Sequence, residues 1–98
     1  MTDDLQRLVA LMDKCQRDTL SALGGRAAQR LANWQRHEGD LRALVRFVHE
    51  RLMNTPESGY ALEMRSLLSL ERIVAHEMPH LFSTEDIQVA KFTLRGIF

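Results

Sequence analysis

Leu5, Leu8, Met12, Cys15, Thr19 and Ala22 recur near the start of the chain at alternating steps of three and four, the spacing that lines one face of an α-helix. Val9, Leu20 and Leu23 widen the stripe, and the helix it predicts runs for about six turns. Thr2 is placed to cap it, and Asp3 and Asp4 set negative charge at the positive end of its dipole. Gly24 and Gly25 end it, because paired glycines expose backbone and accept the left-handed conformation of a C-cap.

The same reading continues along the chain. Ala27, Ala28, Leu31 and Trp34 mark a shorter second helix that breaks at His37-Glu38-Gly39. Asp40 caps a third, with Leu41, Leu44, Val45, Val48 and Leu52 on one face and Arg42, Arg46 and Glu50 opposite. Asn54-Thr55-Pro56-Glu57 reads as a stop followed by a start, with Thr55 as cap and Pro56 at the first helical position, although Gly59 weakens the restart. From Tyr60 the stripe Met64, Leu67, Leu68, Val74 and Met78 predicts one long fourth helix closed by Pro79. Ser83 or Thr84 caps a fifth, which carries Ile87, Ala90 and Leu94 on one face and ends at Gly96. No segment alternates as a strand does, and no repeat or low-complexity tract interrupts the pattern. The expected fold is an all-α compact bundle of four or five helices joined by short turns, forming a single domain over residues 1–98.

Composition narrows the class. Hydrophobic residues at 45% and charged residues at 27% are the balance of a globular chain, neither disordered nor membrane-embedded. Thirteen basic and thirteen acidic side chains cancel, so no global field draws the protein to nucleic acid or to an anionic membrane. No apolar run approaches the ~18 residues of a membrane span, and MTDDLQRLVAL lacks the basic start of a signal peptide. We therefore expect a cytoplasmic protein with no membrane contact. Eleven arginines against only Lys14 and Lys91 suggest a GC-rich bacterial genome. Cys15, the single cysteine, cannot form an internal disulfide and shares the spacing of Leu8 and Met12, as a small buried hydrophobe does.

One short motif invites a chemical reading. His76-Glu77-Met78-Pro79-His80 matches H-E-x-x-H, which in zinc proteases places two ligands and a general base on one helix. That chemistry needs an unbroken helix through both histidines, and Pro79 lies between them. Leu81-Phe82-Ser83 also lacks the glycine and third histidine of the longer signature. A zinc-dependent hydrolase is thus disfavoured, and the expectation is no metal and no cofactor. His37-Glu38 and His49-Glu50 repeat the dipeptide, but neighbours on a helix point apart, so it makes no pH sensor by itself. No nucleophile elbow or phosphate-binding glycine loop is present, and the expectation is that the chain is not an enzyme.

Two binding classes remain. Arg26, Arg30, Arg36, Arg42 and Arg46 fall within 21 residues that contain only Glu38 and Asp40 as acids, with Trp34 among them. Such a stripe can track phosphates while the aromatic stacks on a base, the pattern of a nucleic-acid-binding regulator. The other class, a protein-interaction module of adaptor, chaperone or regulatory type that associates with a protein partner or with itself as a homodimer, rests on apolar surplus. The first helix is apolar over more than a narrow seam, and Phe92, Ile97 and Phe98 lie off the Ile87-Ala90-Leu94 face. Phe92, Ile97 and Phe98, then Trp34 and Met12, are the interface residues this reading selects.

Overall fold

Helix α1, Thr2–Leu23, turns Leu8, Met12, Cys15 and Thr19 inward, with Thr19 at 6% the most exposed of the four. The computed structural model describes residues 2–54 and 56–97, and of residues 2 and 56–58 the backbone alone. The expected caps at Thr2 and Thr55 and the interface residue Phe98 therefore lie outside the described side chains. Gly24 closes α1 with φ 93°, a backbone conformation that side chains resist, and its N–H donates to Leu20 O. Leu20 itself, expected to widen the buried stripe, is 55% exposed.

Helix α2, Gly25–Leu31, buries Ala28 and Leu31 and tightens into a 3₁₀ segment, Ala32–His37, that buries Trp34. Asp40 then caps α3, Leu41–Asn54, through Ala43 N–H to Asp40 Oδ1 at 3.2 Å. The inner face of α3 is Leu44, Val48 and Leu52, as its spacing predicts. Helix α4, Pro56–Met64, does restart at the proline.

The long fourth helix expected from Tyr60 to Met78 does not form. Helix α4 stops at Met64, and residues 65–69 are a turn and loop before α5, Leu70–Arg72, which widens into a π-helical turn, Ile73–Glu77. The stop is a Schellman motif: Leu67 N–H donates to Leu62 O and Ser66 N–H to Glu63 O, with Ser66 at φ 61° in the left-handed position. Glycine usually occupies that position, and the serine hides the stop from the sequence. Met78, at φ −141° and ψ 52°, ends the π turn, and a short 3₁₀ segment, Pro79–Leu81, follows. Helix α6, Thr84–Thr93, is capped by Ser83, whose side chain accepts Asp86 N–H.

The class is nevertheless the expected one: 82% of the structure is helical, with no strand among the described residues. One core joins α1, α2, α3, α5 and α6, with Met12, Trp34, Leu44, Ile73, Val74 and Met78 among its most enclosed members.

Candidate interaction surfaces and the buried charge cluster

Helix α4 carries a carboxylate on its inner side and two large apolar side chains on its outer side. Its inner side presents Gly59, Leu62 and Glu63, and its solvent side presents Tyr60 and Met64, one turn apart. Glu63 is 5% exposed, whereas Tyr60 is 42% and Met64 62% exposed. A carboxylate is enclosed beside Leu62 while two of the three large apolar side chains face water, a departure from the ordinary surface helix.

The inward carboxylate has a structural task. Glu63 Oε2 accepts both Ser69 N–H, at 3.0 Å, and Ser69 Oγ–H, at 2.8 Å, while Oε1 lies 3.4 Å from Arg72 Nε. Ser69 Oγ in turn accepts Arg72 N–H at 3.0 Å and caps α5. On the other side of the loop, Asp18 Oδ2 accepts Leu68 N–H at 2.8 Å and the Lys14 ammonium at 2.7 Å. Two carboxylates from two helices thus satisfy the donors that the helix break exposes, as buried backbone requires. Burial pushes the Asp18 carboxyl up, but the hydrogen bonds from Lys14 and Leu68, with the charges of Lys14 and Arg17, bring it below its ordinary value.

Glu71 is the less compensated member. It is 2% exposed and packs directly on α4 at Gly59, where a Cβ would land on its carboxylate. Burial raises its pKa to about 7; its own backbone N–H opposes the rise and the charge of Glu63 adds to it. Gly59, which reads in the sequence as a flaw in a helix, is the residue that lets this side chain in. Cys15 abuts the same cluster. Its thiol is pushed up to about 12 by burial, against a hydrogen bond with Thr19, with Glu71, Asp18 and Glu63 adding to the rise, so it holds no reactive thiolate at neutral pH.

The H-E-x-x-H residues do not converge. His76 and Glu77 sit in the π turn, His80 in the following 3₁₀ segment, and Met78 between them is off helical angles. Glu77 pairs with Arg7 at 3.3 Å, and His80 Nε2 lies 3.1 Å from Asp4 Oδ1, so both fasten the motif to the first turns of α1. Among the described residues no three His, Cys, Asp or Glu side chains are grouped to hold a metal ion. The other histidines also look away from their neighbouring glutamates. His49 Nδ1 lies 2.7 Å from Asp86 Oδ1 on α6, and the His37 ring packs on Phe47 with centroids 6.1 Å apart.

Two of the residues selected for a protein interface lie in the core instead. Met12 is 0% and Trp34 2% exposed, and the indole N–H donates to Gln16 Oε1 at 2.7 Å. Neither can meet a partner while the chain stays folded, and Trp34 cannot stack on a base. Amphipathic spacing marks such residues as apolar but does not say whether their own domain or another covers them. Phe92 is 66% exposed, with the Arg95 guanidinium 4.2 Å from its ring centroid, and Ile97 is half-buried. Arg26, Arg30, Arg36, Arg42 and Arg46 are all exposed. Tyr60 and Met64, which the sequence assigns to an inward stripe, were missed as surface residues because the helix break separates them from Leu67, Leu68, Val74 and Met78, with which their spacing groups them.

The geometry defines an all-α bundle with a partly apolar outer face on α4 and a separate arginine-rich segment, and no helix among the described residues is long and apolar enough to cross a membrane. No family model, no curated protein and no solved structure matches the chain.

Proposed function

We propose that this chain is a small, non-enzymatic protein-interaction module that pairs with a second copy through the outward face of α4. The observation that carries the reading is the outer side of α4, where Tyr60 and Met64 face solvent while Glu63 is enclosed on the inner side with Leu62. Internal packing accounts for Glu63, which holds the α5 cap residue Ser69, but gives no reason for Met64 to be 62% exposed. Apolar side chains one turn apart on a short helix are self-complementary across a two-fold axis, where each helix meets its own copy. Phe92 on α6, equally exposed, is a second apolar anchor. A role as cytoplasmic adaptor, chaperone or regulator accords with this reading and with the buried, unreactive Cys15.

Sedimentation velocity across a range of concentrations tests it. The parent chain is expected to move as a dimer, and Tyr60→Lys with Met64→Lys as a monomer with the same far-UV circular dichroism. A parent that stays monomeric at about 100 μM, weaker than the micromolar range of specific pairs, overturns the self-association reading. A double variant that remains dimeric overturns the assignment to α4.

A further inference from the structure

The chain's neutrality conceals a separation of charge. Six arginines have partners within the fold: Arg7 with Glu77, Arg17 with Asp13, Arg65 with Ala22 O, Arg72 with Glu63, Arg95 with Phe92, and Arg51, which is also engaged. The other five are Arg26, Arg30, Arg36, Arg42 and Arg46, and among the described residues none of them makes an ion pair or hydrogen bond. Seven of the acids outside the segment are buried or hold other bases, while Asp3 and Glu85 stand exposed in the first turns of α1 and α6. Glu63, Glu71 and Asp86 are buried, and Asp4, Asp13, Asp18 and Glu77 hold bases outside the segment. Within residues 26–46 only Glu38 and Asp40 oppose five arginines, and Asp40 Oδ1 already accepts Ala43 N–H. Glu50 lies one turn beyond Arg46 on α3.

The arginines lie on the outward side of each helix. Ala28 and Leu31 bury the inner face of α2, which leaves Arg26 and Arg30 opposite; Leu44 and Val48 do the same on α3 for Arg42 and Arg46. The two helices are joined through the 3₁₀ segment that carries Arg36, and His37 O accepts Asp40 N–H at 2.9 Å to close the turn between them.

We infer that the surface formed by α2, the 3₁₀ segment and α3 binds the phosphate backbone of nucleic acid, without reading base sequence. Two features choose this partner. First, the large apolar side chains exposed among the described residues are Leu20, Met53, Tyr60, Met64 and Phe92, none of them within 26–46. A protein partner needs an apolar centre to its interface, and this segment offers charge alone. Second, the one tryptophan is enclosed and its N–H spent on Gln16, so the segment has no indole to stack on a splayed base. What remains is guanidinium groups on phosphates, which position a protein on a duplex and carry no sequence information. This surface is independent of the α4 face, so either can fail alone.

Fluorescence anisotropy of the full chain with two unrelated labelled duplexes of about 20 base pairs, between about 20 and 200 mM KCl, tests the inference. Both duplexes should bind with affinities within about twofold of each other, with log K falling against log salt at a slope of about −3 to −4.5. Arg42→Ala with Arg46→Ala, both exposed, should keep the circular dichroism and flatten that slope by about 2. Absence of binding at the lowest salt, a more than about tenfold preference for one duplex, or an unchanged slope in the double variant each overturns it. Binding to phosphatidylserine vesicles with no binding to either duplex would reassign the surface to anionic lipid and overturn it too.

Discussion

Replacing Glu71 by Gln removes a buried carboxyl whose ionisation the fold opposes. In the folded chain its pKa is about 7, against an ordinary value of 4.5, chiefly because burial removes its hydration. At 1.36 kcal/mol per pH unit this difference corresponds to about 3 kcal/mol of stability. The sign comes from proton counting. Below pH 4.5 the group is protonated in folded and unfolded chains alike, and its burial as a neutral acid is fully tolerated. Between 4.5 and about 7 the unfolded chain releases the proton and the folded chain keeps it, so stability falls as pH rises and the loss is complete above about 7. Asp18 works in the opposite direction: its folded value is depressed, so its contribution is present above 3.8 and lost as pH falls through that folded value. Urea unfolding followed by far-UV circular dichroism at fixed ionic strength, from pH 4.5 to about 8, gives the test. Relative to the parent, Glu71→Gln should gain little at pH 4.5 and about 3 kcal/mol at the alkaline end. A variant-minus-parent difference that does not change over that range, or that turns against the variant as pH rises, refutes the reasoning.

Two backbone positions give further tests. Ser66 holds the left-handed position of the α4 stop with φ 61°, at a cost of about 1 kcal/mol that glycine does not bear. Ser66→Gly should therefore stabilise by about 0.5 kcal/mol after the extra freedom of the unfolded chain is subtracted, and a lower urea midpoint would contradict the Schellman assignment. Gly59→Ala should do the reverse of what a helix interior predicts. Instead of gaining up to about 1 kcal/mol, it should lose about 1–3 kcal/mol, because the new Cβ meets the enclosed Glu71 carboxylate. Most of that loss should vanish in a Glu71→Ala background, and additive effects in this double-mutant cycle would show that the two residues are not in contact.

The helical class, most element starts and the inner faces of α1 and α3 were legible because each depends on local chemistry: three-and-four spacing, Asp40 and Ser83 as caps, Gly24 as a stop. The failures share a cause as well. The sequence shows Leu67, Leu68, Val74 and Met78 in helical register after Met64, and only a serine in the left-handed conformation interrupts them. Serine at that position depends on tertiary support, here Glu63 and Asp18 holding Ser69 and Leu68, and those partners lie 6 and 50 residues away. Once the break is missed, Tyr60 and Met64 are grouped with the inward stripe, whereas both face solvent in the fold. Trp34 and Met12 were recognisable as apolar but not as enclosed, since periodicity finds a face and not what lies against it. Pro79 was sufficient to separate His76 from His80 because proline acts on its own backbone and on the residue before it.

A side chain that the fold itself employs needs no further explanation, and most of the polar groups here are employed. Ser69 caps α5 and is held by Glu63, Asp18 holds the loop, Asp86 joins α3 to α6, and Glu77 and His80 moor the π turn and the 3₁₀ segment after it to α1. Burying Glu63 is costly for any surface helix, and its hydrogen bonds to Ser69 offset that cost because they satisfy donors that would otherwise be stranded. Tyr60 and Met64 have no comparable internal role, nor do the five arginines between 26 and 46. Solvent-facing methionine and tyrosine on a helix that could have carried Lys or Glu there expose apolar area without any gain to the monomer. Five arginines in one segment that make no ion pair or hydrogen bond among the described residues, beside six partnered ones elsewhere, likewise add self-repulsion. The two sets lie on different helices and differ in chemistry, one apolar and one cationic, so they point to two different kinds of contact. A dimer built on α4 would carry two arginine surfaces, and a duplex long enough to meet both would be held more tightly than a short one. Anisotropy with duplexes of increasing length, run on the parent and on the Tyr60→Lys, Met64→Lys variant, separates the cases: a length-dependent gain confined to the parent joins the two surfaces in one assembly, and the same gain in both leaves them independent.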